Sequence, residues 1–593
     1  MIFYYCDKCQ KIHDRTDYVE YKNGKYSCKA CKENNRIHNI TLKSKLYWCN
    51  DCNIPIHDQI CGLCGKKGKY ITTDLRPVFP EERLLLEVLQ GEPFKYKDSS
   101  VWNGAGNRYI VDGKKLKITI KDLMKNDSNK VRQQIEENTN KNSYDKFNEY
   151  IKKFVQANKG RFNSIVSMST DEINKDIKGY GFDQMFVSFS GGKDSTVVSD
   201  LVTKALSKPR IIHIFGDTTL EFPLTLEYVT RFRKNNRKTP MLVAKNKEKN
   251  FYDLCDVIGA PSRVMRWCCG IFKTGPINSK ISSAFKNKKR ILTFYGIRRS
   301  ESVKRSNYER ESESPKITKQ KVVSPIIYWF DFDIWLYILS TGIDFNDAYR
   351  LGYSRVGCWC CPNNSDWATY LSRIYMLQQY NDWRNLLINF AKKIGKPDAE
   401  VYVDEGKWKA RQGGNGISFS KNSIISFKPC ANENDAFSYE LRKEITEELY
   451  QLFKPFGYIN KEIGNKRLGE VYVVDKNNNP IMRLQGRINS KTLKVTILKL
   501  PIHKAKSLTD AKKKIDAQIT KYQMCMGCLG CESVCRFDAI SVVKSASEKE
   551  AQNKKIKEKY EIDDNKCVRC GECVQHFDGG CYIRKVLAIK RGG

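Results

Sequence analysis

The chain has 593 residues, 40% of them apolar, with a mean hydropathy of −0.56. That is enough for several buried cores, but the longest apolar run, around Ile326–Ile338, is broken by Asp331 and Asp333 and cannot span a bilayer. The formal charge of +37 excludes an acidic binding protein and suits polyanionic partners, although a Lys- and Asn-rich chain with a solvated basic surface has the same balance.

The N-terminus carries no export signature, so the cytoplasm, with no membrane partner, is the expected location. The 23 cysteines stand in short-spaced groups, which in that compartment signals metal rather than disulfides.

Residues 1–70 hold four CxxC knuckles: Cys6/Cys9, Cys28/Cys31, Cys49/Cys52 and Cys61/Cys64. Each knuckle aims two thiolates at one ion, and two knuckles close a tetrahedral shell. Two structural zinc ribbons are expected, and rubredoxin-like iron is the alternative. Residues 71–180 open with a helix expected over Pro80–Leu89, with Pro80 in its first turn. Strands are expected at Asn107–Val111 and Lys115–Ile120, joined by an Asp112-Gly113 turn. This small β-rich module faintly resembles RNA-binding PUA modules. The polar stretch Lys125–Asn158 reads as solvent-facing helix and linker.

Residues 181–416 alternate strands with helices: Met185–Phe189, a helix over Thr196–Leu206, then strands Arg210–Phe215 and Arg290–Tyr295. This implies an α/β fold with a parallel sheet and ligands at its C-terminal edge. Ser188-Phe189-Ser190-Gly191-Gly192-Lys193-Asp194-Ser195 follows the first strand and opens the helix. Glycines there let backbone N–H groups approach phosphate, and the helix N-terminus favours an anion. The Walker A spacing is absent.

The loop resembles the PP-loop of adenine-nucleotide α-hydrolases, ATP pyrophosphatases and the phosphoadenosine phosphosulfate (PAPS) reductase family. Further segments occur in that family's order: Asp217-Thr218-Thr219-Leu220-Glu221-Phe222-Pro223, with Thr219 where the family has Gly; Arg266-Trp267-Cys268-Cys269-Gly270; Gly296-Ile297-Arg298-Arg299-Ser300-Glu301-Ser302 with Arg305; Pro325-Ile326 and Asp333-Ile334-Trp335; and Gly357-Cys358-Trp359-Cys360-Cys361-Pro362. The resemblance implies that ATP or an adenylyl sulfate nucleotide binds through Ser188, Ser190, Gly191, Gly192, Lys193, Asp194, Ser195, Asp217, Gly296, Arg298, Glu301 and Arg305. Magnesium would sit near Asp194 or Asp217. Lys193, Asp194, Cys360 and Arg298 are the catalytic candidates, with Arg298 and Arg305 holding phosphates.

By likeness to assimilatory adenylyl-sulfate reductases, Cys268, Cys269, Cys358 and Cys361 would hold a [4Fe–4S] cluster, with zinc as the competing metal. Cys360 is an extra thiol, either a structural passenger or a sulfur-carrying nucleophile. The family's reductases use a cysteine in an E-C-G-L-H segment, which this sequence does not contain; Glu572-Cys573 belongs to another motif.

Residues 417–507 read as a small α+β module, with a helix expected over Ser438–Phe453 and strands at Glu470–Val474, Ile481–Gln485 and Leu493–Leu498. Residues 508–593 begin with a helix over Leu508–Met524. Two cysteine runs follow that resemble a two-cluster ferredoxin, although Arg536 and Tyr582 stand where proline usually follows the fourth cysteine. The fourth cysteine of each run crosses over, so Cys525, Cys528, Cys531 and Cys581 would hold one [4Fe–4S] cluster, and Cys567, Cys570, Cys573 and Cys535 the other. With two zinc ions and three clusters bound, a charge of roughly +27 would remain.

The leading expectation is an ATP-dependent sulfur transferase acting on tRNA or DNA, with separate electron-donor and sulfur-donor proteins. A sulfonucleotide reductase producing sulfite is the alternative, and a nucleic-acid-binding scaffold with degenerate chemistry is the third.

Overall fold

The computed structural model describes the chain apart from residues 1, 7–10, 14–17, 23–24, 29–39, 142, 248, 264–265, 303–304, 306–307, 314–319, 410–425, 432, 434, 501–504, 506, 526–529, 545–557, 575–589 and 592–593. Two compact units emerge. The first comprises Met1–Phe215, Leu220–Leu242 and Asn287–Asn381, and the second Gly216–Thr219, Val243–Lys286 and Asp382–Gly593. Residues 181–416 are therefore shared between them.

Most of a largely parallel sheet falls within the first unit, and the last residues of two of its strands are assigned to the second. Its strands are β1 (Met185–Phe189), β2 (Ile212–Asp217), β3 (Met241–Lys245), β4 (Ile291–Phe294), β5 (Glu311–Glu313) and β6 (Gln320–Val323), in the order β3-β2-β1-β4-β6-β5. β1 pairs in parallel with β2 and β4, and β4 with β6, while β5 runs antiparallel at the edge. β1 is an apolar run because helices cover both faces of such a sheet. Lys193–Leu206 covers one part, burying Val197, Val198, Leu201 and Val202. Asp331–Thr341 buries Ile334, Trp335 and Ile338 in the same core as Val187, Leu292 and Phe294. The fold is thus α/β with a central parallel sheet.

Upstream of this sheet, Leu46–Cys49 pairs with Ile54–Ile56 and Lys69–Thr72. A four-stranded antiparallel sheet follows, in the order Lys114–Lys115, Arg108–Val111, Val101–Gly104, Leu75–Pro77. Asp112 and Gly113 have φ of 47° and 75°, the left-handed pair a two-residue hairpin needs. The helix Pro80–Val88 forms as expected.

Three expectations are corrected. The alternation in Lys115–Ile120 does not make a strand. Thr119 caps a helix at Ile120–Leu123, its hydroxyl accepting from the Asp122 N–H (3.3 Å) and the Asp122 carboxylate accepting from the Thr119 N–H (3.1 Å). Ser438–Phe453 is not one helix. Ala436–Glu440 is an inner strand, paired with Ser426–Pro429 and Thr492–Ile497, and the helix starts only at Glu447. The polar stretch 125–158 is not wholly solvent-facing, since Val131 and Phe154 are buried.

The second unit holds a seven-stranded sheet that includes Glu470–Val474, Pro480–Gln485 and Thr492–Ile497. Its core is continuous with that of the C-terminal region. Tyr439, Phe453, Met482 and Leu493 pack in one cluster with Ile515 and Ile519 of the helix Leu508–Met524, and with Ile540, Tyr560 and Val574. No helix among the described residues is long and apolar enough to cross a membrane.

Candidate functional site

The phosphate loop is shaped by two close approaches. Gly191 has φ +70°, and a Cβ there would meet Thr225 Cγ2 at 2.9 Å. At Gly296, after β4, a Cβ would fall 2.8 Å from the backbone of Asp194 and Ser195, so only glycine lets that loop pass the helix N-terminus. Polar bonds then fix the loop. Ser195 Oγ donates to Gly192 O (2.9 Å) and accepts from Ser190 N–H (3.1 Å). Asn346 Nδ2 donates to Gly191 O (3.1 Å) and to Thr225 Oγ1 (2.8 Å). The Lys193 N–H donates to the Tyr349 hydroxyl (3.1 Å), and Ser188 lies half-buried beside Tyr295, which is half-buried too.

Beside the loop lies a compact ionic cluster. Arg298 Nε donates to Asp194 Oδ1 (2.5 Å) and its Nη2 to Asp331 Oδ1 (2.9 Å). Lys193 Nζ stands 3.2 Å from the same Asp331 oxygen and 3.5 Å from Asp194 Oδ2, and donates to Ser354 O (3.3 Å). Asp74, which is far upstream in the chain, closes the cluster by accepting from the N–H groups of Asp331 (3.2 Å) and Phe332 (3.0 Å).

Burial acts to raise the Asp194 carboxyl, but Arg298 and Lys193 outweigh it and hold the group below its ordinary range. Burial acts to lower the Lys193 ammonium, and Asp194 and Asp331 raise it instead, so it stays charged. Asp74 goes the other way: burial and the Asp331 carboxylate push it up to about 7.

Sequence reasoning missed Asp74 as a site residue and read Asp331 only as a break in an apolar run. Glu301 accepts from the Arg298 N–H (3.1 Å) and is ion-paired to Arg305. The motif residue Asp333 is structural. It is buried and bound in a two-pronged pair to Arg161 (2.8 Å each). In the second unit, Asp217 Oδ1 accepts from Thr219 N–H (2.8 Å), and the carboxylate pairs with Lys245 (2.9 Å). Thr219, standing where the family has glycine, sits at φ +63°, a left-handed position that glycine fills at least cost.

Cys268 and Cys269 lie in the second unit and Cys358 and Cys361 in the first. Cys268 leads into a π-helical turn, Cys269–Thr274, positioned by Trp267, whose Nε1 donates to Gly259 O (3.1 Å). The 357–364 loop hangs on Leu220 and Glu221 through the Trp359 N–H to Leu220 O bond (2.9 Å) and a bridge from Cys358 to Glu221, and Cys360 is buried within it.

Among the described residues, Cys49, Cys52, Cys61 and Cys64 bring four sulfurs within 4.8 Å of one another. That donor set fits a single tetrahedral ion, for which zinc is the ordinary choice. Burial pushes the Cys49 thiol up to about 11, so a bound cation would replace a proton there. Cys6 and Cys28 end strands, and Cys9 and Cys31 lie outside the described residues.

In the C-terminal region, Cys567 has the sulfurs of Cys535 and Cys570 as neighbours, and Cys573 has those of Cys531, Cys567 and Cys535. The Tyr560 hydroxyl is buried beside Cys531, Cys573 and Cys525. A buried, thiol-lined pocket fits an iron–sulfur cluster held by cysteine thiolates. Cys528, Cys581 and the Gly413–Gly416 stretch lie outside the described residues.

Residues 184–364 match the phosphoadenosine phosphosulfate reductase domain and residues 524–576 a 4Fe-4S dicluster domain, so the chain carries a domain of each family. An uncharacterized protein of Methanocaldococcus jannaschii is 30% identical over 266 residues, 44% of this chain and 61% of that one; the match thus spans less than two thirds of that relative. An adenosine 5'-phosphosulfate reductase of Halalkalibacterium halodurans is 26% identical over 211 residues, 35% of this chain and 87% of that one. A PAPS reductase structure from Candida auris aligns at 15% identity with a TM-score of 0.27, covering 36% of this chain and 96% of that one.

Two outcomes follow. Cys52→Ser should remove one metal ion per chain, read by elemental analysis, and lower the melting temperature; unchanged metal content would contradict the four-thiolate site. Asp74 is raised from 3.8 to about 7 in the fold, so stability from its protonated form is fully present below about pH 4 and lost as pH rises through 7. Asp74→Asn should therefore gain stability over the natural chain between those pH values and run parallel to it above them, as followed by denaturant titration. A difference that does not change with pH would contradict this.

Proposed function

We propose that this chain is an ATP-dependent sulfur transferase acting on nucleic acid. The observation that carries this reading lies in the second unit. The helix Gly275–Ala284, which continues directly from the tandem cysteines, packs on Gly530–Val534 of the dicluster region, and Lys286 pairs with Asp538 (3.4 Å). This packing supports a reading in which the tandem cysteines and the dicluster region work together.

The reaction divides between parts of the site. The glycine loop and the Lys193–Leu206 helix N-terminus would hold the triphosphate, with Lys193 and Arg298 offsetting its charge. Asp194 and Asp331 keep both cations oriented before the nucleotide arrives, so little reorganisation is needed on binding. An oxygen of the acceptor, on a base or a phosphate, would attack the α-phosphorus; the bond to pyrophosphate breaks and an adenylylated acceptor forms, an anhydride where the oxygen is a phosphate's. A sulfur nucleophile would then replace the activated oxygen and release AMP. If the donor is a persulfide, two electrons are needed per sulfur delivered, and the dicluster domain, when loaded, supplies one-electron carriers.

On motif grounds, Cys268, Cys269, Cys358 and Cys361 would hold the further cluster, with Cys360 the candidate sulfur-carrying thiol. Mg²⁺ would accompany ATP near Asp194 or Asp217.

The adenosine 5'-phosphosulfate reductases among the relatives favour a second reading, reduction of a sulfonucleotide to sulfite. Anaerobic assays separate the two. Pyrophosphate release from ATP that requires tRNA or DNA, and that falls roughly 100-fold or more in Lys193→Ala, is the expected result. Sulfite formed from an adenylyl sulfate nucleotide without ATP or nucleic acid would overturn it.

A further inference from the structure

The loops that feed the parallel strands lie at the edge of the sheet opposite the phosphate loop, and they are strongly basic. Residues 178–184 lead into β1, 207–211 into β2, 236–240 into β3 and 287–290 into β4. Together they contain eight Lys or Arg residues and one carboxylate, Asp183, which is ion-paired to Lys288. Lys208, Arg210, Arg237 and Lys238 are exposed, and no ion pair is found for them among the described residues.

Contacts make these loops one surface. Thr239 Oγ1 donates to Pro209 O (2.8 Å), and the His213 N–H donates to Pro240 O (2.8 Å), which joins the second and third loops. Lys208 Nζ sits 5.1 Å from the centre of the Phe182 ring, joining the first and second. Arg290 stacks over Tyr180 at 5.0 Å and donates to its hydroxyl (3.2 Å), which adds the fourth.

We infer that this edge is a docking face for the sugar–phosphate backbone of a nucleic acid. Its cations come from several loops held by a rigid sheet, so their spacing is fixed before binding. Among the described residues Lys208, Arg210, Arg237 and Lys238 have no carboxylate partner, and aromatic rings stand beside Lys208 and Arg290. Such a surface gains affinity by releasing the counterions condensed on a phosphate chain. It lies at the edge of the sheet opposite the glycine loop, so it would anchor the acceptor rather than react with it. The assignment builds on the nucleic-acid acceptor proposed above, and its test measures binding without turnover, so that failure of the face and failure of the reaction are told apart.

The experiment is fluorescence anisotropy of the full chain with a duplex DNA and with an RNA hairpin, between about 50 and 200 mM salt. The variant Lys208→Gln/Arg210→Gln/Arg237→Gln/Lys238→Gln should bind at least about tenfold more weakly, and its log–log salt slope should be shallower by about 2 or more, each lost phosphate contact accounting for about 0.7–0.9. The control Lys466→Gln/Lys476→Gln/Lys491→Gln, which removes exposed cations of the second unit, should change affinity less than about twofold if the face is specific. Equal weakening in both variants would show only diffuse charge and overturn the proposal, as would unchanged binding in the first variant or binding to an acidic protein alone. If the fourfold variant melts early, Lys208→Gln/Arg210→Gln and Arg237→Gln/Lys238→Gln carry the same comparison in two steps.

Discussion

Arg298 holds the ionic cluster beside the glycine loop together. Its guanidinium spans two carboxylates, Asp194 at the start of the helix after the phosphate loop and Asp331 at the start of a second helix, while Lys193 approaches both from the loop. Two buried cations and two partly buried carboxylates would each cost several kcal/mol unpaired, and together they form a cluster in which every member is satisfied. Removing one member leaves the others uncompensated, a loss on the order of 3–5 kcal/mol for such a pair. The same geometry keeps two positive charges next to the glycine loop in a place where water cannot screen them.

The cluster also gives the upstream region a role. Asp74 precedes the first strand of the small antiparallel sheet, and its carboxylate caps the helix that carries Asp331. A residue outside the PAPS reductase domain therefore completes the arrangement within it. The second unit follows similar logic, because the seven-stranded sheet and the dicluster region share one apolar core and neither buries its surface alone.

Much of this was legible in the residues. Met185–Phe189, Glu470–Val474 and Leu508–Met524 form at the bounds their patterns imply, and the Ser-Gly-Gly-Lys-Asp-Ser turn sits between strand and helix as its glycines require. Local chemistry misled where two signals competed. In Lys115–Ile120 the alternation looked like a strand, and a capping box further on won. In Ser438–Phe453 a period-two strand was read as part of a helix because its last turn is truly helical. Asp74 could not be read at all: no motif marks it, and 120 residues separate it from Asp194. Asp331 sat in plain sight beside Asp333, yet only the fold shows that the first serves the site and the second pairs with Arg161.

The central claim is that Arg298 and Asp331 act as one unit in presenting positive charge to the nucleotide. A double-mutant cycle on ATP affinity, using Arg298→Gln, Asp331→Asn and the pair, measures this most directly by calorimetry under anaerobic conditions. A coupling of about 1 kcal/mol or more between the two changes is predicted. Additive effects, or ATP affinity untouched by either change, would contradict it.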